Sequence, residues 1–233
     1  MLVQGKITHM VQSTDIYDNQ GNKEVFGAIP ASAKKILDLG CGAGNIGKGA
    51  IKTGIIWDGI TISPDEAEIA RGYYRKVILH NLENGLPLDQ LDTDYDVCIC
   101  SHVIEHIVWP DKLLHDINKL LSRSNGLFIM AVPNALYHEV RMKFLRGKFE
   151  YKSSGILDIN HVRWYTFKTA KDLLTKNGFT IDKAWVEGKC PISRNIRKII
   201  PAQLIKKLDN VSCRLIPGLL GYQLLYTGKP EKI

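Results

Sequence analysis

Long apolar runs are missing from this sequence of 233 residues. No stretch reaches the roughly eighteen consecutive apolar residues that a transmembrane helix needs, so the sequence predicts none. The N-terminal residues have neither a long apolar core nor a small-residue cleavage site, and we expect no signal peptide. Hydrophobic residues make up 45% and charged residues 24%, as is typical of a globular protein, and the length suffices for one sizeable α/β domain. We therefore expect a cytoplasmic location.

The sequence also lacks the cysteine pattern of a disulfide framework or a structural zinc site. Its five cysteines are an odd number, and none forms a C-x-x-C pair. Cys98 and Cys100 are two positions apart and point to the same side of a predicted strand, where we interpret them as small buried hydrophobic residues. This usage favours a reducing compartment.

Apolar runs alternate with helical patterns from residue 34 onward, which predicts an α/β fold with a parallel sheet. Residues 1–33 are polar, irregular and weakly helical, and we interpret them as a lid segment on a main domain of residues 34–233. The predicted strands are Lys35–Leu39, Trp57–Ile62, Lys76–Leu79, Tyr95–Ser101, Gly126–Val132, Phe179–Val186 and Tyr222–Thr227. The predicted helices are Asn45–Thr53, one from the Ser63 cap to about Tyr74, Asp111–Leu121, and one from the Thr166 cap to about Asn177. Ligands of such sheets bind beyond the carboxyl ends of the strands, so the candidate site residues are those that follow each strand.

A glycine-rich loop follows the first predicted strand and reads Asp38-Leu-Gly40-Cys41-Gly42-Ala-Gly44. Glycines permit a tight turn and a close approach of ligand to backbone, and the next helix offers free N–H groups. The loop resembles motif I of class I S-adenosylmethionine (SAM)-dependent methyltransferases. That resemblance implies SAM as cofactor and a Rossmann-like, doubly wound, seven-stranded, mostly parallel sheet with an antiparallel last strand. It also implies that Asp38 orients the loop and that Gly40, Cys41, Gly42 and Gly44 pack against the methionine part of SAM.

The same glycines permit a second interpretation. Gly42, Gly44 and Gly47 complete a G-x-G-x-x-G dinucleotide fingerprint. The first glycine of that fingerprint should follow the strand directly, and here Gly40 does so instead. An NAD-dependent oxidoreductase is therefore a distant alternative.

The segment after the second strand departs from the family pattern. The resemblance implies an Asp or Glu that binds the ribose hydroxyls, but Thr61 stands in that place, followed by Ile62 and Ser63. Threonine cannot clamp two hydroxyls as a carboxylate does. The variant resembles the Thr-Leu-Ser sequence of the cyclopropane-synthase branch of the superfamily. Asp65, in the next helical turn, is a candidate substitute.

Two more segments complete the predicted cofactor pocket. Asn81 and Leu82 follow the third strand, where the resemblance implies contacts with the adenine amine and ring face; a plain polar turn is the alternative for Asn81. Ser101 ends the fourth strand, and we assign it to the cofactor pocket as well.

Ser101 leads into the string His102-Val-Ile-Glu105-His106. Two histidines four apart beside a glutamate suggest a metal site, and H-x-x-E-H occurs as a rare metal motif. No third ligand is evident in the sequence, so we expect no metal. We interpret Glu105 as packing at a helix start and His106 as a catalytic residue that lines the pocket.

Residues 134–170 form the predicted substrate-side insertion. They contain Pro-Asn134, then Arg-x-x-x-Leu-x-Gly-x-Phe-x-Tyr151, then Gly-x-Leu-Asp158-x-x-His161-x-Arg163. The block resembles a bacterial branch of methyltransferases associated with glycan and cell-surface polysaccharide assembly, and the resemblance covers about residues 17–186. A neutral histidine suits proton removal from a hydroxyl, so His161 is the candidate base, with Asp158 holding its tautomer. The alternative is that His161 and Arg163 tie the loop to the sheet edge.

The net charge of +7 is concentrated near the C-terminus, where residues 189–232 contain nine basic and two acidic residues. Within the predicted basic helical segment 189–220, aliphatic residues form a helical stripe: Ile196, Ile199, Ile200, Leu204, Ile205 and Leu208. We expect this stripe to pack on the domain with a basic face in solvent. Contact with an anionic membrane or a pyrophosphate-linked glycan is the alternative, and nucleic acid comes third because few aromatic residues are interleaved.

Taken together, these patterns predict a SAM-dependent methyltransferase that methylates a hydroxyl of a sugar or other small metabolite. The alternative from another class is a non-catalytic SAM-binding subunit that regulates or scaffolds a partner, which Thr61 keeps open.

Overall fold

A seven-stranded sheet forms the centre of the computed structural model, which describes residues 21–49 and 54–231. The strands are β1 Lys35–Leu39, β2 Ile56–Thr61, β3 Lys76–Leu79, β4 Val97–Ser101, β5 Leu127–Pro133, β6 Phe179–Gly188 and β7 Gly221–Pro230. Their order is β3-β2-β1-β4-β5-β7-β6, and all pairs are parallel except those of β7, which is antiparallel to β5 and β6. The predicted fold class is confirmed.

The central strands are apolar because helices cover both faces of the sheet. Side chains alternate between the faces, so Val97 and Ile99 enter one core cluster while Cys98 and Cys100 enter the other. Both cysteines are fully buried free thiols, which confirms their interpretation as small core residues.

Helices connect the strands and continue after them. They are α1 Lys23–Ala28, α2 Asn45–Gly49, α3 Pro64–Ala70, α4 Pro110–Ser122, α5 His138–Leu145, α6 Phe167–Lys176, α7 Arg194–Ile199, α8 Ala202–Leu215 and α9 Pro217–Leu220. Short 3-10 turns cover Leu82–Asn84 and Ile104–His106. Within the described ranges, no helix has the length and apolar character needed to cross a bilayer.

Local signals account for the helix ends. The Ser63 side chain accepts a hydrogen bond from the Glu66 N–H and Pro64 occupies the first turn, while Thr166 and Thr169 form a reciprocal capping box. Helix α3 ends at Ala70, earlier than the predicted Tyr74, since Gly72 disfavours a further turn. The predicted last residues of α2, 50–53, lie outside the described residues.

The described part of the predicted lid segment is built into the main domain. Val25 of α1 is fully buried in the core cluster that contains Ile129 and Leu225. The Asn22 side chain donates hydrogen bonds to the Gln223 side chain at 3.0 Å and to Ser101 Oγ at 3.2 Å, across the carboxyl end of β4. Residues 1–20 of the predicted segment lie outside the described residues.

The basic helical segment packs on the domain, with α8 against β6, but the predicted stripe is not the buried face. None of the predicted stripe is buried: Ile199 is 84% exposed, and Ile196 and Leu204 are about half exposed. Pro201 divides the segment into α7 and α8, which breaks the continuous stripe. Cys213 is the buried residue of α8.

Candidate active site

The glycine loop needs its glycines for conformation and for space. Gly40, Gly42 and Gly44 have φ angles of +66°, +53° and +84°, in the left-handed region that side chains disfavour. A Cβ atom on Gly40 would lie 2.4 Å from Val103 Cγ2, and one on Gly44 would lie 2.8 Å from the Tyr74 ring. The contact with Val103 places the loop directly beside the segment that follows β4.

Asp38 and Tyr74 form a buried pair beneath this loop. The Tyr74 hydroxyl donates to Asp38 Oδ2 at 2.6 Å and accepts from the Gly47 N–H at 3.2 Å. Burial raises the pKa of Asp38 to about 7, and the hydrogen bond from Tyr74 opposes that rise. A Cβ on Gly47 would lie 2.6 Å from the Tyr74 ring, so packing against Tyr74 explains the third glycine of the dinucleotide fingerprint.

Glu66, a carboxylate that was not among the predicted site residues, lies at the end of β2. Thr61 is buried and its hydroxyl donates to Glu66 Oε2 at 2.9 Å. Glu66 Oε1 also lies 3.7 Å from the position of a Cβ on Gly42. The carboxylate therefore sits between the glycine loop and β2. Glu66 stands three residues after the Ser63 cap, the usual position of a capping-box partner, but the Ser63 N–H donates to Thr61 Oγ1 instead of to Glu66.

The neighbours of Glu66 differ in their exposure. Asp65, the predicted substitute for a ribose-binding acid, is exposed on the first turn of α3. Ile62 is 53% exposed, so its side chain is accessible at the carboxyl edge of the sheet.

The two residues predicted after β3 have clear structural roles. The Asn81 side chain accepts from the Glu83 N–H at 3.0 Å and caps the 3-10 turn that follows. Leu82 is buried in the core cluster on one face of the sheet. Their predicted contacts with adenine remain predictions.

His102 begins the segment after β4 in an unusual backbone conformation, with φ at 57°. Its Nδ1 lies 3.1 Å from Glu105 Oε1, and its Nε2 lies 2.6 Å from Gln223 Oε1. Desolvation lowers the pKa of His102, but the hydrogen bond and charge of Glu105 outweigh it, and the net pKa is raised. The 3-10 turn Ile104–His106 replaces the expected helix start, so the Glu105 side chain turns inward and is fully buried.

The fold brings His161 to Glu105 and His106. His161 Nε2 lies 4.0 Å from Glu105 Oε1, and the rings of His106 and His161 meet edge to face at 4.8 Å between centroids. One ligand atom from each of the three residues fits within a 4.8 Å spread. The third ligand that was not evident in the sequence is thus 55 residues away along the chain and adjacent in space.

The partner of His161 is not the one predicted. Its Nδ1 lies 3.0 Å from the Ile156 carbonyl oxygen, which can only accept, so Nδ1 carries the proton in the neutral ring. Asp158 instead accepts from the Asn160 N–H at 2.8 Å and shapes its own loop. Burial lowers the pKa of His161, which favours the neutral ring.

Arg163, and not His161, ties this loop down. The N–H groups of Val162 and Arg163 both donate to the Glu105 carbonyl at 3.0 Å, and Arg163 Nε donates to the Val108 carbonyl at 2.6 Å. The His161 Nε2 atom stays directed toward Glu105, which leaves it available for chemistry.

Comparison with known proteins agrees with this geometry. A model of a methyltransferase domain family matches residues 11–184. The ubiquinone biosynthesis O-methyltransferase of Proteus mirabilis is 26% identical over 110 residues, which cover 42% of this chain and 42% of that protein. The protein of the same name from Erwinia tasmaniensis is 26% identical over 144 residues, covering 48% of this chain and 56% of that protein. The chain spans about half the length of these curated relatives.

Solved structures share the fold. A SAM-dependent methyltransferase from Archaeoglobus fulgidus superposes with a TM-score of 0.56 at 21% identity, covering 85% of this chain and 87% of that one. One from Mesorhizobium loti superposes with a TM-score of 0.54 at 17% identity, covering 89% and 96%.

The strand order, the antiparallel β7 and the glycine loop after β1 define the class I SAM-dependent methyltransferase architecture. Because the family model spans most of its length, the chain belongs to the methyltransferase domain family.

Proposed function

We propose that this chain transfers the methyl group of SAM to a hydroxyl oxygen of a small molecule. The observation that carries the proposal is the close packing of Gly40 against Val103, which brings the glycine loop to the segment that also carries Glu105 and His106. In family members the glycine loop holds the methionine end of SAM, so the reactive methyl would face the cluster that these two residues form with His161.

The residues of the cluster suit transfer to oxygen. The hydroxyl oxygen forms a bond to the methyl carbon, the carbon–sulfur bond breaks with its electron pair going to sulfur, and the hydroxyl proton must leave. His161 Nε2 carries no proton when Nδ1 donates to Ile156, so Nε2 can accept it. Most of the remaining rate gain comes from positioning, because the sulfonium is already activated.

Two further features support the class of the acceptor. The curated relatives are O-methyltransferases, which supports a hydroxyl acceptor. Residues 134–170 follow β5 at the carboxyl edge of the sheet. Their motifs resemble those of methyltransferases associated with glycan assembly, which supports a sugar as the hydroxyl compound.

Methyl transfer from radiolabelled SAM to panels of sugars, glycan precursors and phenols tests this proposal. We expect label in a hydroxylated product together with S-adenosylhomocysteine. SAM binding without turnover on any panel would contradict the proposal and favour a non-catalytic SAM-binding subunit.

Glu66 is the residue we propose for the ribose hydroxyls of SAM, in place of the acid that β2 lacks. A carboxylate accepts from both hydroxyls, and hydrogen bonds to charged groups are worth about 1.5–3 kcal/mol. We expect Glu66→Gln to weaken binding of S-adenosylhomocysteine roughly tenfold or more in titration calorimetry. Glu68→Gln, an exposed change on the same helix, is the control and should leave the affinity unchanged. Equal affinities for the two variants would exclude this role.

The exposed surface of α7 and α8 supports the proposal of contact with an anionic membrane. Ile199 and Leu215 are 84% and 76% exposed, and Lys198, Lys206 and Lys207 lie among the aliphatic residues. An open cavity of about 600 Å³ between the helices is lined by Ile199 and Lys206 among others. Aliphatic side chains that insert beside lysines are typical of interfacial helices.

Vesicle sedimentation checks this surface. We expect binding to phosphatidylglycerol vesicles that declines with salt, and little binding to phosphatidylcholine vesicles. The double change Lys206→Glu and Lys207→Glu should lower partitioning by more than tenfold, since each basic residue contributes about 1 kcal/mol. Lys168→Glu with Lys171→Glu on α6 is the matched control. Equal loss in both double variants, or equal binding to the two lipids, would argue against the surface.

A further inference from the structure

We propose that Glu105, His106 and His161 bind one divalent transition-metal cation of the Zn²⁺ type. The inference rests on the proposed function, because it assigns the cation a role in the same methyl transfer. Three observations carry it: an unpartnered buried carboxylate oxygen, two histidines held in a ligand tautomer, and the spread of the ligand atoms.

The first observation concerns the Glu105 side chain, which is fully buried. Its Oε1 atom faces His102 at 3.1 Å, whereas its buried Oε2 atom has no hydrogen-bond partner among the described residues. Carboxylate oxygens removed from water are strongly disfavoured without a partner. A cation bound by this carboxylate supplies the missing interaction.

The second observation concerns the two imidazole rings. His106 Nδ1 lies 3.1 Å from the Asn160 carbonyl and His161 Nδ1 lies 3.0 Å from the Ile156 carbonyl. A carbonyl can only accept, so in each neutral ring the proton is on Nδ1 and Nε2 has a free lone pair. Metal-binding histidines are characteristically oriented by such a bond from the second ring nitrogen.

The third observation is geometric. The ligand atoms lie within 4.8 Å of one another, and zinc ligands at about 2.1 Å in a tetrahedron lie about 3.4 Å apart. The ligand atoms must therefore draw closer together when a cation binds, and His106, which is partly exposed, is the ligand least constrained by burial. The Val162 and Arg163 N–H groups, bonded to the Glu105 carbonyl, hold the His161 loop in register with Glu105.

The donor set selects the cation. Two imidazole nitrogens and one carboxylate form the three-ligand set of catalytic zinc sites, which leave a position open for substrate. Mg²⁺ and Ca²⁺ prefer oxygen ligands throughout and match this set poorly.

The open position defines what the cation does in the reaction. A hydroxyl placed there has a lowered pKa, so its proton leaves to solvent and its electron pair becomes available to the methyl carbon. With a cation bound, His161 Nε2 is a ligand, and the cation replaces it as the group that promotes proton loss.

Titration calorimetry of the full chain with Zn²⁺, and Co²⁺ absorption spectra, test the inference. We expect one site per chain and a Co²⁺ spectrum with visible bands but no intense sulfur charge-transfer band. Loss of a partner that only orients a ligand weakens metal binding about 10- to 100-fold. Glu105→Gln, His106→Gln and His161→Gln each remove a ligand itself, so each should weaken Zn²⁺ binding by more than that. His115→Gln, on the exposed face of α4, is the matched control and should bind as the unaltered chain does.

Thermal melts of each variant separate ligand loss from misfolding. If Glu105→Gln unfolds, the partly exposed His106 still provides the test. Unchanged Zn²⁺ affinity in a folded His106→Gln variant would overturn the inference. Methyl transfer that proceeds fully after chelation would also overturn it while leaving the proposed function intact. Metal binding without methyl transfer to any hydroxyl compound would contradict the proposed function and the cation's role in it.

Discussion

Replacement of Gly40 by alanine is expected to remove SAM binding almost completely. The φ angle of +66° costs an L-residue about 1–2 kcal/mol, and the added Cβ would lie 2.4 Å from Val103 Cγ2. Relief of this clash must move either the glycine loop, which is the proposed cofactor site, or the segment that carries Glu105. We expect the affinity for S-adenosylhomocysteine to fall by at least about 100-fold in titration calorimetry.

A second glycine supplies the control for this experiment. Gly27 lies in helix α1, its φ angle is not positive, and no described heavy atom lies within 4 Å of a Cβ placed on it. Gly27→Ala should therefore leave affinity unchanged and should slightly stabilise the helix. If Gly40→Ala bound the ligand as tightly as Gly27→Ala, the glycine loop would not be the cofactor site.

Most strands and long helices could be predicted because their signals are local. Lys35–Leu39 and Lys76–Leu79 match the predicted strands residue for residue, since each is a short apolar run bounded by polar residues or glycine. The predicted helix Asp111–Leu121 matches α4 to within one residue at each end, and its five apolar residues are all buried.

The candidate site could be predicted only in part because its contacts join distant segments. Asp38 and the glycines stand in a contiguous motif, but Tyr74 lies 36 residues from Asp38 and its bond to the carboxylate leaves no pattern in the sequence. Glu66 has two roles available to it, as a cap and as a carboxylate beside the loop, and only its contact with Thr61 distinguishes them.

The cluster of Glu105, His106 and His161 also joins distant segments, which is why the sequence showed no third metal ligand. His102 and His106 are four residues apart, and a continuous helix would have placed them on one face. The chain forms a single 3-10 turn there, so the side chain that joins Glu105 and His106 is His161, which a separate loop delivers.

Replacement of Asp58 by asparagine is expected to lower the free energy of unfolding by about 2–3 kcal/mol, without altering the site. Asp58 is fully buried in the amino-terminal half of β2, accepting from Arg75 Nε at 2.9 Å and from the Tyr95 hydroxyl at 2.7 Å. An amide keeps one acceptor, but its NH₂ group turns a donor toward the other partner. Arg75 is partly exposed, which reduces the cost below that of a fully buried pair.

Urea denaturation of matched variants separates this buried pair from ordinary surface pairs. Asp172→Asn removes the same charge from an exposed pair with Lys168 and should cost less than about 1 kcal/mol. Affinity for S-adenosylhomocysteine should be unchanged in both variants, because Asp58 lies toward the amino ends of the strands and the glycine loop at their carboxyl ends. Equal free energies of unfolding for the two variants would mean that Arg75 and Tyr95 find other partners. The amino edge of the sheet would then tolerate the loss of a charge as well as the surface does. We expect the larger loss of unfolding free energy at Asp58. That result would mean that a residue important for stability and the candidate site lie at opposite edges of one sheet, so that each can be changed without affecting the other.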